Sequence, residues 1–308
     1  MNTYDSHVYK SGYCELGGGN RAYVECFGNK HAQPMLFLHG GPGSGFSDSH
    51  KKLFDPERDN VIFYDQRGAG KSIPFCTISE NTTDNLVEDI PRILAYADVD
   101  SAYVIGTSWG VALALLFAMR YPKRVSGLFL ASVFLATRKE SRHFVDGSIA
   151  SIYPDAWARF IAPVPISARD DMAMWYWQHM TNGIEKEKEM LAKIWTAYDL
   201  SISSGVMDQE KIERVLATIS YRSLAVLTAH YIVHDFFLPD GYIESNISQV
   251  PAVPVTIIHG KEDAVTDSVV ALKLHSLIPE SDLVLIEAGH GSSVMFNSIR
   301  EYIAKISA

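Results

Sequence analysis

Cysteine is scarce in this chain: Cys14, Cys26 and Cys76 are the only three in 308 residues. An odd number without metal-ligand spacing argues against a disulfide framework or a zinc module and suits a reducing compartment. Cys14 and Cys26 could approach one another on a hairpin, but packed free thiols are the expectation. The chain also lacks any run near the roughly 20 apolar residues that cross a bilayer. Met1 to Gly12 is polar, with neither an apolar signal segment nor an Arg-rich presequence, so a cytoplasmic location and no membrane partner are expected. Positive charge is the minority sign, with 27 Lys and Arg against 36 Asp and Glu and a net charge of −9. No dense basic run is present to track a phosphate backbone, so nucleic acid is not expected as a partner. Repeats and low-complexity tracts are absent as well. What is present is a 47% hydrophobic composition, enough for a large globular core.

The order of the apolar segments indicates how that core is built. Ser11 to Leu16 and Arg21 to Phe27 half-alternate around Gly17-Gly18-Gly19-Asn20, the pattern of a β-hairpin. Met35 to Leu38, Val61 to Tyr64, Tyr103 to Ile105 and Leu128 to Leu130 are short continuous apolar runs, as strands buried on both faces require. Helical periodicity lies between them, including Leu86, Ile90, Ile93, Leu94 and Ala97 after Thr82-Thr83. The alternation predicts an α/β fold with a mostly parallel sheet flanked by helices. Residues 137–240 interrupt it, being aromatic- and Met-rich and helical in period. Strand patterns resume at Val253 to His259 and Leu283 to Ile286. The expected organisation is a core domain of residues 1–136 and 241–308 with a helical cap at 137–240, inserted between the sixth and seventh strands. Glu185-Lys186-Glu187-Lys188-Glu189 within it reads as a solvated helix face.

Gly106-Thr107-Ser108-Trp109-Gly110 joins a buried strand to a helix that is apolar all round. In that setting the small residues allow a strained turn that lifts the Ser108 hydroxyl above the sheet edge as a nucleophile. A serine needs a base, and the base needs an orienting carboxylate. His290 and Asp263 each directly follow a predicted strand, giving the chain order Ser, Asp, His; Glu262 is the rival carboxylate. An oxyanion must also be stabilised. His39-Gly40-Gly41-Pro42-Gly43 follows the third strand, so the N–H groups of Gly41 and Trp109 are the expected donors, with His39 a structural residue of the loop. The chemistry implied is acyl transfer through an acyl-enzyme, with no metal and no organic cofactor. A receptor that uses the same fold without catalysis is the competing reading, against which the intact Ser108, Asp263 and His290 argue.

These segments resemble the proline iminopeptidase (prolyl aminopeptidase) family of α/β-hydrolases. The resemblance rests on His39 to Gly43 as HGGPG, Asp65 to Ser72 as DQRGxGxS, Asn81-Thr82-Thr83, the elbow with Trp after Ser, His259-Gly260 before Asp263, and Gly289-His290. It covers nearly the whole core and little of the insertion. It implies an aminopeptidase that releases an N-terminal residue from a small peptide, and a cap whose aromatics, Trp175, Tyr176 and Trp177, wall a pocket. It also implies cap glutamates that hold the substrate amine. In this chain Thr228-Ala229-His230-Tyr231-Ile232 matches one glutamate segment, with Thr228 in the acidic position, and Trp177-Gln178 is matched to the other. Trp175, Trp177, Thr228 and Tyr231 are therefore the expected substrate-binding residues, with Glu244, Asp235 or Asp240 as replacement anions. If none replaces them, an esterase, lactonase or amidase acting on a small acyl substrate without a free amine is the alternative. A carboxylate restored at position 228 is expected to raise selectivity for free amines. The sequence sets no oligomeric state.

Overall fold

The continuous apolar runs become strands covered on both faces. A computed structural model describes residues 5–204 and 208–306; residues 1–4, including the start of the polar N-terminal stretch, 205–207 and 307–308 lie outside the described residues. The hairpin is β1 (Val8–Gly17) and β2 (Asn20–Gly28), followed by β3 (Pro34–Leu38), the short helix α1 (Asp48–Lys51) and β4 (Asn60–Tyr64). Then come α2 (Thr83–Tyr96), β5 (Ala102–Thr107), α3 (Trp109–Arg120) and β6 (Val125–Ala131). The elements that follow are helical: α4 (Arg138–Val145), α5 (Pro154–Ile161), α6 (Met172–Asn182), α7 (Glu185–Ser203), α8 (Gln209–Leu216), α9 (Tyr221–Val233) and α10 (Tyr242–Asn246). The chain closes with β7 (Val255–Gly260), α11 (Ser268–Leu277), β8 (Asp282–Ile286) and α12 (Ser293–Ile306).

The strands form one sheet in the order β1-β2-β4-β3-β5-β6-β7-β8. The β1–β2 and β2–β4 pairs are antiparallel and every other pair is parallel. Because side chains alternate across a strand, Leu36, Leu38, Ile62 and Tyr64 pack with Ile90 of α2 and Val111 of α3. Their neighbours Met35, Phe37, Val61 and Phe63 pack with Ile299 and Ile303 of α12. Both faces are core, which is why these strands read as unbroken apolar runs. The helical layer has its own apolar cluster, with Phe160, Tyr176, Leu191, Trp195 and Tyr198 at its centre. It lies between the sixth and seventh strands, where the pattern of the sequence breaks.

The parallel strands place the loops after β3, β5, β6, β7 and β8 at one edge of the sheet, the edge where ligands bind in such folds. In the hairpin register Cys14 faces Ala22 and Cys26 faces Lys10, so the two thiols are not cross-strand neighbours; all three cysteines are free. No helix among the described residues is long and apolar enough to cross a membrane.

Candidate active site

The turn between β5 and α3 has no room for side chains beside the serine. A Cβ on Gly106 would meet the Gly110 carbonyl, and one on Gly110 would meet the Leu38 carbonyl. Between them Ser108 adopts φ 53°, ψ −121°, a conformation that costs an L-residue about 1–3 kcal/mol. Two bonds hold it there: the Ser108 N–H donates to Ala131 O at 2.9 Å, and the Val111 N–H donates to Ser108 O at 2.8 Å.

His290 reaches Ser108 from the loop after β8. Its Nε2 lies 3.1 Å from Ser108 Oγ, and its Nδ1 lies 2.7 Å from Asp263 Oδ2. Asp263, in the loop after β7, also accepts from the N–H groups of Val265 and Thr266, each at 2.9 Å, and from the Thr266 hydroxyl at 3.1 Å. Burial pushes the Asp263 pKa up, but the imidazole charge and these donors outweigh it and hold the carboxyl below the usual range. Burial likewise disfavours imidazolium at His290; Asp263, and after it Asp199, reverse this and raise its pKa. The rival Glu262 is exposed to solvent. Behind the pair, His259 accepts the Val133 N–H at Nδ1 and donates from Nε2 to Thr266 O, which fixes the loop carrying Asp263.

The loop after β3 lies against the elbow, where a Cβ on Gly40 would come within 3.3 Å of Ser108 Cβ. His39 is buried and its pKa is pushed down to about 3 by that burial, so it is neutral. Its Nε2 accepts the Gln66 N–H at 3.1 Å, which leaves Nδ1–H to donate to Gly40 O at 2.8 Å. Gln66 in turn donates from Nε2 to His39 O and accepts the Trp109 indole N–H at 3.1 Å. Asp65 accepts the N–H groups of Phe46 and Lys71, and Arg67 pairs with Asp89 through two bonds of 2.6 and 2.8 Å. The DQRGxGxS segment is thus the frame that holds one glycine loop against the elbow. Trp109 is the first residue of α3, so no carbonyl one turn back accepts its N–H.

A cavity of about 390 Å³ opens on this edge, lined by Gly40, Gly41, Ser108 and His290 and walled by Phe134, Phe144, Leu224, Ile232 and Phe236. Of the expected substrate residues, Thr228 lines it. Trp175, Trp177 and Tyr231 do not. Successive residues on a helix point about 100° apart, so 175 to 177 cannot share one wall. Trp175 stacks on His179, Tyr176 lies in the core of the helical layer, and Trp177 faces His230 and His234. Tyr231 is buried against Trp109 and donates to Asn81 Oδ1 at 2.8 Å. Gln178 is exposed. The replacement anions are engaged elsewhere: Asp235 pairs with Arg138, Asp240 accepts the Arg138 N–H, and Glu244 pairs with Lys273.

Two carboxylates that the sequence did not single out line the cavity instead, Glu140 and Asp199. Glu140 is occupied as the α4 capping box, accepting from Leu135 N–H, Thr137 N–H and the Thr137 hydroxyl. Among the described residues Asp199 accepts one hydrogen bond, from Ser203 Oγ at 3.2 Å, and burial pushes its pKa up to about 6, against the opposing effect of His290. A signal for it exists in the sequence. Asp199 falls four residues after Trp195 and three before Ile202, at the helical spacing of the buried residues of α7, although it is itself only half-buried.

Comparison with known proteins agrees with this architecture. The family model of the alpha/beta hydrolase fold matches residues 33–294. A Leptolyngbya boryana protein named "Probable proline iminopeptidase" is 34% identical over 284 residues, 92% of this chain and 88% of that protein. The proline iminopeptidase of Arabidopsis thaliana is 32% identical over 288 residues, 92% of this chain and 76% of that protein. Among solved structures, an esterase from Exiguobacterium antarcticum superposes with a TM-score of 0.67 at 18% identity, covering 97% of this chain and 99% of the esterase; at that identity the likeness shows the fold alone. The chain belongs to the proline iminopeptidase family of α/β-hydrolases, a family of serine hydrolases.

Proposed function

We propose that the protein is an aminopeptidase that releases an N-terminal residue from a small peptide, with Ser108 as nucleophile, His290 as base and Asp263 as its orienting carboxylate. The observation that carries this is the imidazole of His290, within hydrogen-bond reach of Ser108 Oγ on one nitrogen and Asp263 on the other. Ser108 Oγ attacks the acyl carbon as its proton passes to His290 Nε2. The tetrahedral oxygen is met by the N–H groups of Gly41 and Trp109. The proton then goes to the departing amine, and water cleaves the acyl-enzyme by the same route.

Asp199 supports the choice of an amine-bearing substrate, since it is the cavity carboxylate with acceptor capacity to spare among the described residues. An ammonium held there would sit among apolar walls suited to a small side chain or ring. The esterase or amidase reading keeps one observation in its favour: Thr228 places a hydroxyl where the resemblance implies a glutamate, so the cavity has one anion fewer. We take residues 137–240 as the cap, because most of the cluster around Trp195 lies within it, with Tyr231 and Phe236 docking the segment onto the core cluster that also holds Ile243 and Ile247.

Ser108→Ala should lower turnover by about 10⁶-fold with folding intact, and a fluorophosphonate should label the native protein but not this variant. Proline and alanine arylamides with free amines should be cleaved in preference to their N-blocked forms and to aryl esters. Indifference to blocking would favour the esterase or amidase, and an unlabelled native protein would favour a receptor.

A further inference from the structure

Helix α9 walls the cavity, yet two of its hydroxyls are directed at backbone. Thr228 Oγ1 donates to the Pro42 carbonyl at 3.0 Å, and the one proton of Ser223 Oγ is shared between the Gly43 carbonyl at 2.8 Å and the Ser220 carbonyl of its own helix at 3.0 Å. A carbonyl only accepts, so in each case the hydroxyl is the donor. We infer that Thr228, assisted by Ser223, is a positioning residue for the reaction: it fixes the His39–Gly43 loop so that the Gly41 N–H stays aimed at the tetrahedral oxygen. This rests on the serine-hydrolase reading above.

The loop holds itself on one side of Gly41 only. Gly41 and Gly43 have φ of +110° and +93°, values open to glycine and therefore to a loop with many alternatives. An oxyanion donor contributes most when it is oriented before the reaction begins. On one side of Gly41 the loop's own side chains do this, since Gly40 O accepts from His39 Nδ1 and from Ser44 Oγ, each at 2.8 Å. On the other side the Pro42 and Gly43 carbonyls are held from α9. The contact is close: a Cβ on Gly43 would lie 2.9 Å from Leu227 Cβ, and one on Gly41 would lie 3.4 Å from Leu224 Cδ1. A helix of the insertion and a loop of the core are joined here by two hydroxyl donors.

This changes the meaning of Thr228. A carboxylate at 228 has no proton for the Pro42 carbonyl and would set negative charge against its oxygen. Thr228→Glu should therefore cost turnover through the loop alongside any gain in free-amine selectivity.

The test is steady-state kinetics on the full chain with an alanine arylamide and an aryl ester. Thr228→Val keeps the shape and removes the donor. It should lower kcat by about tenfold on both substrates, the scale of one lost hydrogen bond, with KM unchanged. Thr228→Ser should restore kcat, and Ser223→Ala should lower it in the same direction. Fluorophosphonate labelling of Ser108 should slow in step with kcat. An unchanged kcat in Thr228→Val, a rise in KM alone, or failure of Thr228→Ser to restore turnover would overturn the inference while Ser108→Ala remained inactive. An active Ser108→Ala would instead overturn the catalytic reading on which it rests.

Discussion

Two carboxylates stand at the cavity that His290 lines, one behind the imidazole on the sheet side and one on the helical layer, and they differ in how many donors surround them. Asp263 receives two backbone N–H groups, a threonine hydroxyl and His290 itself. Asp199, on α7, receives one serine hydroxyl. The first is held below the ordinary carboxylate range and the second is raised to about 6. Hydrogen bonds to the charged form lower a carboxyl pKa and burial without them raises it. A carboxylate saturated by its own loop has no capacity left for a ligand and serves to orient; one left short of donors on a cavity wall can accept them from a ligand. Folding has finished one site and left the other open.

Removing each charge in turn should break the comparison at its strongest point. Asp263→Asn leaves the shape but cannot hold the His290 tautomer, so kcat should fall by about 10⁴-fold for amides and esters alike. Asp199→Asn should behave differently. For free-amine arylamides kcat/KM should fall by about 30- to 1,000-fold, the cost of leaving a buried charge without its partner, while N-blocked amides and esters change little. Equal losses on both substrate classes in Asp199→Asn would mean that it serves the imidazole and not the amine, and the distinction between the two carboxylates would fail.

The same contrast explains what the sequence could disclose. Ser108, Asp263 and His290 were legible because each sits directly beyond a strand whose apolar run is continuous, and a parallel sheet brings such positions to one edge whatever the loops do. Gly106 and Gly110 were legible because the turn has no room for a Cβ. The substrate wall was not, because it depends on which face of a helix meets the cavity. Trp175 to Trp177 drew attention by composition, yet Tyr176 lies in the core of the helical layer and the two tryptophans face away from the site. Asp199 is one of many acidic residues, and only its spacing from Trp195 and Ile202 on α7 sets it apart from Glu185, Glu187 and Glu189. Thr228 lines the cavity, but the sequence points to it only by a missing charge. Its contribution, a proton for Pro42, depends on a contact far away in sequence.

The smallest effect should appear in the pH dependence, and it tests whether Asp199 and His290 are coupled at all. Burial alone would lower the His290 pKa below the ordinary 6.5, but Asp263 and then Asp199 bring it above that value. The base must be neutral to act, so with an ester kcat/KM should fall as pH drops through a single ionisation lying above 6.5. A free-amine substrate has two further requirements. Asp199 must be ionised, which fails below about 6, and the substrate's amine must stay protonated, which fails above about 8. Its profile should therefore be a bell, steeper on the acid side than the ester's because two protons are taken up there. In Asp199→Asn one negative charge no longer favours imidazolium, so the His290 pKa should drop and the ester's acid limb should move to lower pH. An ester limb that stays in place would show that Asp199 does not act on the imidazole, even if the free-amine selectivity is lost.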